Sequence, residues 1–198
     1  KKGELKGVWL RPTETSEAEI IATLNRLQQT GIDNVFIETY FHGKTIFPSK
    51  TMAAYGFTTQ YEKFAGIDPL EIWIREAHKR GIKVHTWFET FYAGNQSPND
   101  NPNSILAKNP SWGNKTKKDY ASTLPSKSTS EHNGYFLDPA NPYVQDFIAK
   151  LTEEIITRYK PDGINLDYIR YPNTVGTNEM SSWGYTEYAR NDFKNIFG

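Results

Sequence analysis

The chain is expected to be an α/β protein, a parallel (β/α) barrel of TIM type of which it supplies about the first four βα units. Two observations lead there. A helical stretch that ends in a breaker and runs at once into an apolar, β-branched or aromatic strand occurs three times, as QQTGIDNVFIETY, HKRGIKVHTWFETF and RYKPDGINLDYIRYP. A fourth strand, GVWLRP, opens the chain without a preceding helix. Helices alternating with strands require parallel strands with the helices packed outside them.

Each element has its own local reason. Ser16 with Glu19 forms a capping box for a helix over 17–29, and Gly31 stops it. Asp68-Pro69 with Glu71 repeats the device for 69–80, closed by Gly81. Asn141-Pro142 opens a third helix over 142–159 and Pro161 ends it. Each helix has one apolar face: Ile20, Leu24 and Leu27; Leu70, Trp73, Ile74 and Ala77; Phe147, Ile148, Leu151 and Ile155. SSWGYTEYARNDFKNIFG reads as a fourth helix with Trp183, Tyr185, Tyr188 and Phe193 apolar. Two polar segments interrupt this rhythm, 42–66 and a long insertion at 94–134 after the third strand. Both follow strand C-termini, the side on which α/β proteins place their active sites, and loops this long are usually functional or mobile. Residues 1–198 thus read as a single catalytic-type domain and half of an eight-fold barrel. A half barrel leaves two open edges that full closure would remove. The expectation is a fragment of a longer barrel, or a chain that finds its other half elsewhere, including self-association through those edges.

Strand alternation gives the inward face. With Val8, Leu10, Val35, Ile37, Val84, Thr86, Phe88, Ile164 and Leu166 turned to the helices, the interior receives Trp9, Arg11, Phe36, Glu38, His85, Trp87, Glu89, Asn165 and Asp167. The last inward residue of each strand is then Arg11, Glu38, Glu89 and Asp167. A buried carboxylate normally has a partner or a task. Carboxylates converging at a strand-end mouth suit glycosidic bond cleavage, one attacking or activating water while a protonated one donates to the leaving oxygen. Asp167 and Glu89 are the candidate catalytic pair. Arg11, Glu38, Tyr40, His85, Trp87, Asn165, Tyr168 and Arg170 are candidate substrate contacts. The plainer reading of Arg11, Glu38 and Glu89 is a mutually satisfied salt-bridge cluster, and that of His85 a hydrogen-bonded core histidine. Tyr40, Trp87, Phe91, Tyr92 and Trp112 either stack on sugar rings or pack the interior. Asp138, before Pro139, reads as a turn cap.

Composition removes other chemistries. With 23 Lys and Arg against 23 Asp and Glu the net charge is zero, and no basic stripe suggests nucleic acid. No apolar run approaches a membrane span. Zero cysteines exclude disulfides, thiolate metal sites and a Cys nucleophile. They also fit a secreted or envelope bacterial protein, and KKGELKGVW reads as a boundary left after an export signal is removed. HxH and HExxH are absent, which disfavours zinc chemistry. NQSPNDNPNS at 95–104 offers oxygen ligands for calcium but reads better as a solvated loop. No metal or cofactor is expected. No inward lysine suggests a Schiff base, no Gly-rich loop follows a strand and no Gly-x-Ser-x-Gly occurs. The 14% aromatic content, with 5 Trp and 12 Tyr, is high, and aromatics build cores and sugar-stacking platforms alike.

VWL at 8–10, FPS at 47–49, DPL at 68–70, EAHKRGIKVHTW at 76–87, NPSW at 109–112, FLDPANPYVQDFI at 136–148 and DGINLDYIRYP at 162–172 resemble the bacterial family-10-like glycosyl hydrolase domain. The resemblance implies a (β/α)₈ barrel in secreted or envelope-attached proteins that act on polysaccharides, bacterial wall glycans among them. It also implies that Asp167 occupies the family's strand-four aspartate. Many members carry a second acid where Tyr168 stands, Gln at the place of Glu38 and Asn at that of Glu89, some having Glu there, which leaves Glu89 the better partner. The family runs on through a second half barrel, where the proton donor would then lie. The alternative function is a non-catalytic carbohydrate-binding half-barrel module.

Overall fold

The computed structural model describes residues 3–198; Lys1 and Lys2, the start of the expected processing boundary, lie outside them. In chain order the elements are β1 (Gly7–Leu10), α1 (Glu17–Gln29), β2 (Asn34–Phe41), β3 (Lys44–Thr45), α2 (Lys50–Ala54), α3 (Pro69–Lys79), β4 (Lys83–Glu89), β5 (Tyr92–Gly94), α4 (Ile105–Lys108), β6 (Tyr135–Phe136), α5 (Pro142–Tyr159), β7 (Gly163–Asp167) and α6 (Glu187–Phe197). The main sheet runs β1-β2-β4-β7, all parallel, with β3 antiparallel on β2. This is the expected parallel α/β architecture, covering part of a barrel. Among the described residues no helix is long and apolar enough to cross a membrane.

The helix boundaries follow the local chemistry. The Ser16 hydroxyl accepts from Glu19 N and that of Ser49 from Met52 N, while the Asp68 carboxylate accepts from Glu71 N. Gly31 and Gly81 take the left-handed backbone that follows α1 and α3. The sheet's outer face carries Val35, Ile37, Val84 and Phe88, all buried against Ile20, Leu24, Leu70, Trp73, Phe147 and Leu151 of the helices.

The inner face is layered. Trp9, Phe36 and His85 occupy matching registers on β1, β2 and β4, and their rings stack at 4.1 and 4.5 Å between centroids. Gly163 ends the row on β7. A Cβ there would lie 2.5 Å from His85 Nδ1, so the glycine leaves room for the imidazole. The next layer toward the strand C-termini is polar and forms the mouth.

Three expectations are corrected. Tyr40 points away from the mouth, because the β2–β4 register shifts between Glu38 and Tyr40. This bulge turns Tyr40 to the helix side, where it is wholly buried beside Phe88 and Phe147. The segment 94–134 is not one loop but short helices and a β5–β6 pairing closed over Ile105, Leu106 and Trp112. Trp112 packs edge-on to Tyr55 and Phe57 and is therefore core rather than a sugar platform. The last helix starts only at Glu187 and buries none of its own residues, so Trp183 and Tyr185 precede it and Phe193 is exposed.

The Gly163→Ala variant should lose on the order of 2 kcal/mol of stability in urea unfolding, the overpacking cost of a methyl group against His85. An unchanged midpoint would show that the inner layer is not close-packed at that point.

Candidate active site

The mouth is built around Arg11, which follows β1. Its Nε donates to Glu38 Oε2 and its Nη2 to Glu38 Oε1, both at 2.9 Å, while Nη2 also reaches Glu89 Oε1 at 3.1 Å. Glu38 is wholly buried and Glu89 is 3% exposed, whereas half of the Arg11 side chain is open to solvent. Two buried carboxylates thus share one guanidinium. That cluster would carry a net negative charge in a desolvated place unless one carboxyl keeps its proton. Glu89 is the one that keeps it. Burial is the first cause, Glu38 beside it the second, and together they push its carboxyl up to about 8 despite Arg11. Its Oε2 is buried and has no hydrogen-bond partner among the described residues.

Asp167 ends β7 as the register partner of Glu89. Neighbouring strands lie about 4.8 Å apart, so the two side chains leave adjacent backbones. Asp167 Oδ2 accepts from Trp87 Nε1 at 3.1 Å and Oδ1 from Tyr168 N at 2.8 Å. Trp87 stands two residues before Glu89 on β4, so this bond puts Asp167 on the same interior face as the acid. Asp167 is exposed where Glu89 is buried. One carboxyl is enclosed and proton-bearing; the other is open and held by N–H donors. That division is what acid-assisted attack at an acetal carbon needs.

The other expected contacts divide between the mouth and places away from it. Asn165 lies on the same face, its Oδ1 accepting from Trp9 Nε1 at 3.3 Å. Tyr168 takes a left-handed backbone (φ 50°) and stacks on Tyr92 at 5.2 Å. Arg170 lies over the Tyr168 ring and donates to Glu131 Oε1 at 2.8 Å, so it braces the rim. His85 does not reach the mouth. It sits in the lower layer with Nε2 donating to Asn34 Oδ1 at 2.8 Å, and Asn34 Nδ2 in turn donates to Asp33, which sets the amide's orientation. The core-histidine reading therefore describes it, and the substrate-contact expectation for His85 is corrected together with that for Tyr40. Asp138 caps its turn, accepting from Ala140 N.

His42 was not singled out from sequence. It has a left-handed backbone (φ 50°), rests edge-on against Tyr92 at 5.4 Å, and brings Nε2 to 3.8 Å from Glu89 Oε1. Burial first, then the charge of Arg11, lowers its pKa below the ordinary imidazole value. The only sequence signal was a His-Gly pair at a strand end, which many turns share. No group of three or more His, Asp or Glu side chains among the described residues could hold a metal ion.

The chain matches the family described as glycosyl hydrolase-like 10 over residues 4–196 and belongs to it. It is 32% identical to glycosyl hydrolase DigH of Escherichia coli K12 over 171 residues, 86% of this chain and 38% of the relative. It is 27% identical to glycosyl hydrolase YngK of Bacillus subtilis 168 over 213 residues, 98% of this chain and 38% of the relative. The chain therefore spans 38% of the length of either curated relative. Among solved structures it resembles the chitobiase of Flavobacterium johnsoniae (TM-score 0.59, 14% identity, 98% of this chain and 27% of that one). The alpha-galactosidase of Lactobacillus brevis is comparable (TM-score 0.57, 18% identity, 98% and 24%). At such identities the likeness is one of fold: this chain corresponds to part of a TIM barrel.

Two outcomes are expected. Replacing Arg11 by Met should cost on the order of 3 kcal/mol, because Glu38 is left buried without its charge partner; a near-neutral urea midpoint would mean that Glu38 is solvated. The second concerns pH. An unfolded glutamate titrates near ~4.3, and the folded Glu89 value is raised to about 8. Its contribution to stability is therefore full below the lower value and lost as pH rises through the upper one. Urea midpoints should fall between acidic and mildly alkaline pH, and fall less in Glu89→Gln. Equal slopes in the two proteins would exclude a proton on Glu89.

Proposed function

We propose that this member of the glycosyl hydrolase-like 10 family takes part in cleaving the glycosidic bonds of a polysaccharide, with Glu89 as proton donor and Asp167 as nucleophile or as base toward water. The observation that carries the reading is the contrast between the two acids: register partners at one mouth, one enclosed with its pKa raised by burial and by Glu38, one exposed and hydrogen-bonded through both oxygens. Family membership and the fold of the glycosidase neighbours support the reaction class. The names of the relatives support it further.

In this scheme the sugar enters above Trp87 and Asn165. The Glu89 proton passes to the leaving oxygen as the bond to the anomeric carbon breaks. Asp167 attacks that carbon or removes a proton from the attacking water. Arg11 also reaches Glu89, so the charge left on Glu89 after donation faces a guanidinium. Trp87 offers a flat ring at the rim for the apolar face of a pyranose. A bacterial wall glycan is the proposed substrate and a secreted or envelope location the proposed site of action. Both follow from the cysteine-free, aromatic-rich composition and the resemblance.

Glycan turnover, followed by release of reducing ends, should fall about 10²–10⁴-fold in Glu89→Gln and by at least as much in Asp167→Asn. The alkaline limb of the rate profile, set by loss of the Glu89 proton near pH 8, should vanish in Glu89→Gln. Glycan binding with no turnover in the unmodified protein would favour the non-catalytic binding module instead.

A further inference from the structure

A cavity of about 240 Å³ lies beside the mouth and belongs to neither the core nor the carboxylate cluster. Its walls come from the turn after β2 and from the segment that follows β5, and His42 is common to both the cavity and the surroundings of Glu89. We propose that this cavity is a binding subsite for one pyranose unit of the substrate chain, adjoining the mouth through His42. The substrate class rests on the glycosidase reading; the site itself rests on its own geometry.

The walls hold the groups that recognise sugar hydroxyls. Asn95, Gln96 and Thr58 line the space, with Asn95 and Gln96 exposed at its edge. They can donate to and accept from a ligand. Tyr61 adds a ring, held in place by the bond from its hydroxyl to Phe41 O at 2.7 Å. No carboxylate lines the cavity, and its one charged side chain, Lys44, has its ammonium 5.5 Å above the Tyr61 ring. The ring contact leaves the Lys44 charge in place, so the cavity has room for a pyranose whether or not it bears a carboxylate.

The backbone around the cavity is shaped at a cost. His42 and Gly43 take successive left-handed conformations (φ 50° and 70°), and Gly94 opposite them has φ 97°. A Cβ on Gly94 would lie 3.0 Å from His42 Cβ, so glycine is needed for the two segments to meet there. Strain in a non-glycine residue between two glycine-dependent turns is the kind that collects where a ligand is held. It fixes the imidazole as a partition, with Glu89 on one side and the cavity on the other.

The test is a titration of the protein's backbone amide signals with oligomers of N-acetylglucosamine, glucose and galacturonic acid, disaccharides and longer. Expected are shifts at Gly43, Gly94, Asn95 and Gln96 that grow with an oligomer longer than the disaccharide. That length-dependent gain in affinity should drop about 10-fold, or ~1.4 kcal/mol, in Gln96→Trp, which fills the cavity from an exposed position. Thr58→Val, which removes one hydroxyl and little volume, should lose a smaller share. Shifts confined to residues around Glu89 and Asp167 would overturn the subsite and leave the hydrolase reading standing. An unaltered length dependence in Gln96→Trp would overturn the placement, and the absence of any shift would count against both readings.

Discussion

One guanidinium serving two buried carboxylates is the constraint on which the mouth depends. Glu38 and Glu89 come from neighbouring strands and would repel each other strongly in a desolvated interior. Arg11 offsets one negative charge with a bidentate grip on Glu38 and reaches Glu89 with the nitrogen that is left. One charge remains uncompensated, and a proton on Glu89 removes it. A cluster that looks like a structural salt bridge therefore also creates an acid at neutral pH. The plain and the functional readings of these three residues describe the same arrangement, and what separates them is the exposed Asp167 beside it.

The rim of the mouth is held from outside the sheet. β4 and β7 continue their pairing past the strand ends, with Thr90 N donating to Asp167 O and Phe91 N to Tyr168 O. The β5–β6 pair then carries Tyr92 and Phe136 under the Tyr168 ring. Buried Glu131, at the end of the long insertion, accepts from Arg170. The segment after β7 is thus fixed by residues that lie some forty positions earlier in the chain. A second buried acid, Glu154 of α5, does the same for the other excursion. It accepts from the Ser49 hydroxyl and from the backbone of Lys50 and Thr51, so that α2 is seated on α5.

Among the described residues β1 and β7 each pair on one side only. The consequence is visible in burial. Leu166 faces the side that helices cover elsewhere yet is 45% exposed, and Trp9 on the inner face is 54% exposed. The outer faces of β2 and β4, each flanked by two strands, carry fully buried Val35, Ile37, Val84 and Phe88. The mouth draws its side chains from all four parallel strands.

Much of this could be read in the sequence because it depends on short-range physics. Capping residues and breakers set α1 and α5 at the residues expected, and the alternation of β1, β4 and β7 put Arg11, Trp87, Glu89, Asn165 and Asp167 on one face, since both signals act within a few positions of the residue concerned. Tertiary structure alone decided the rest. A one-residue bulge in β2 moved Tyr40 from the expected mouth into the core; it arises from how β2 meets β4, not from anything local to Tyr40. His85 and Glu89 share a face and an alternation pattern, and only their depth along the barrel separates a packed histidine from an acid. The proton on Glu89 and the place of His42 beside it depend on charges and rings brought together from Arg11, Glu38, Tyr92 and Gly94. Alternation tells which way a side chain points, but a pKa is set by what stands across from it in space.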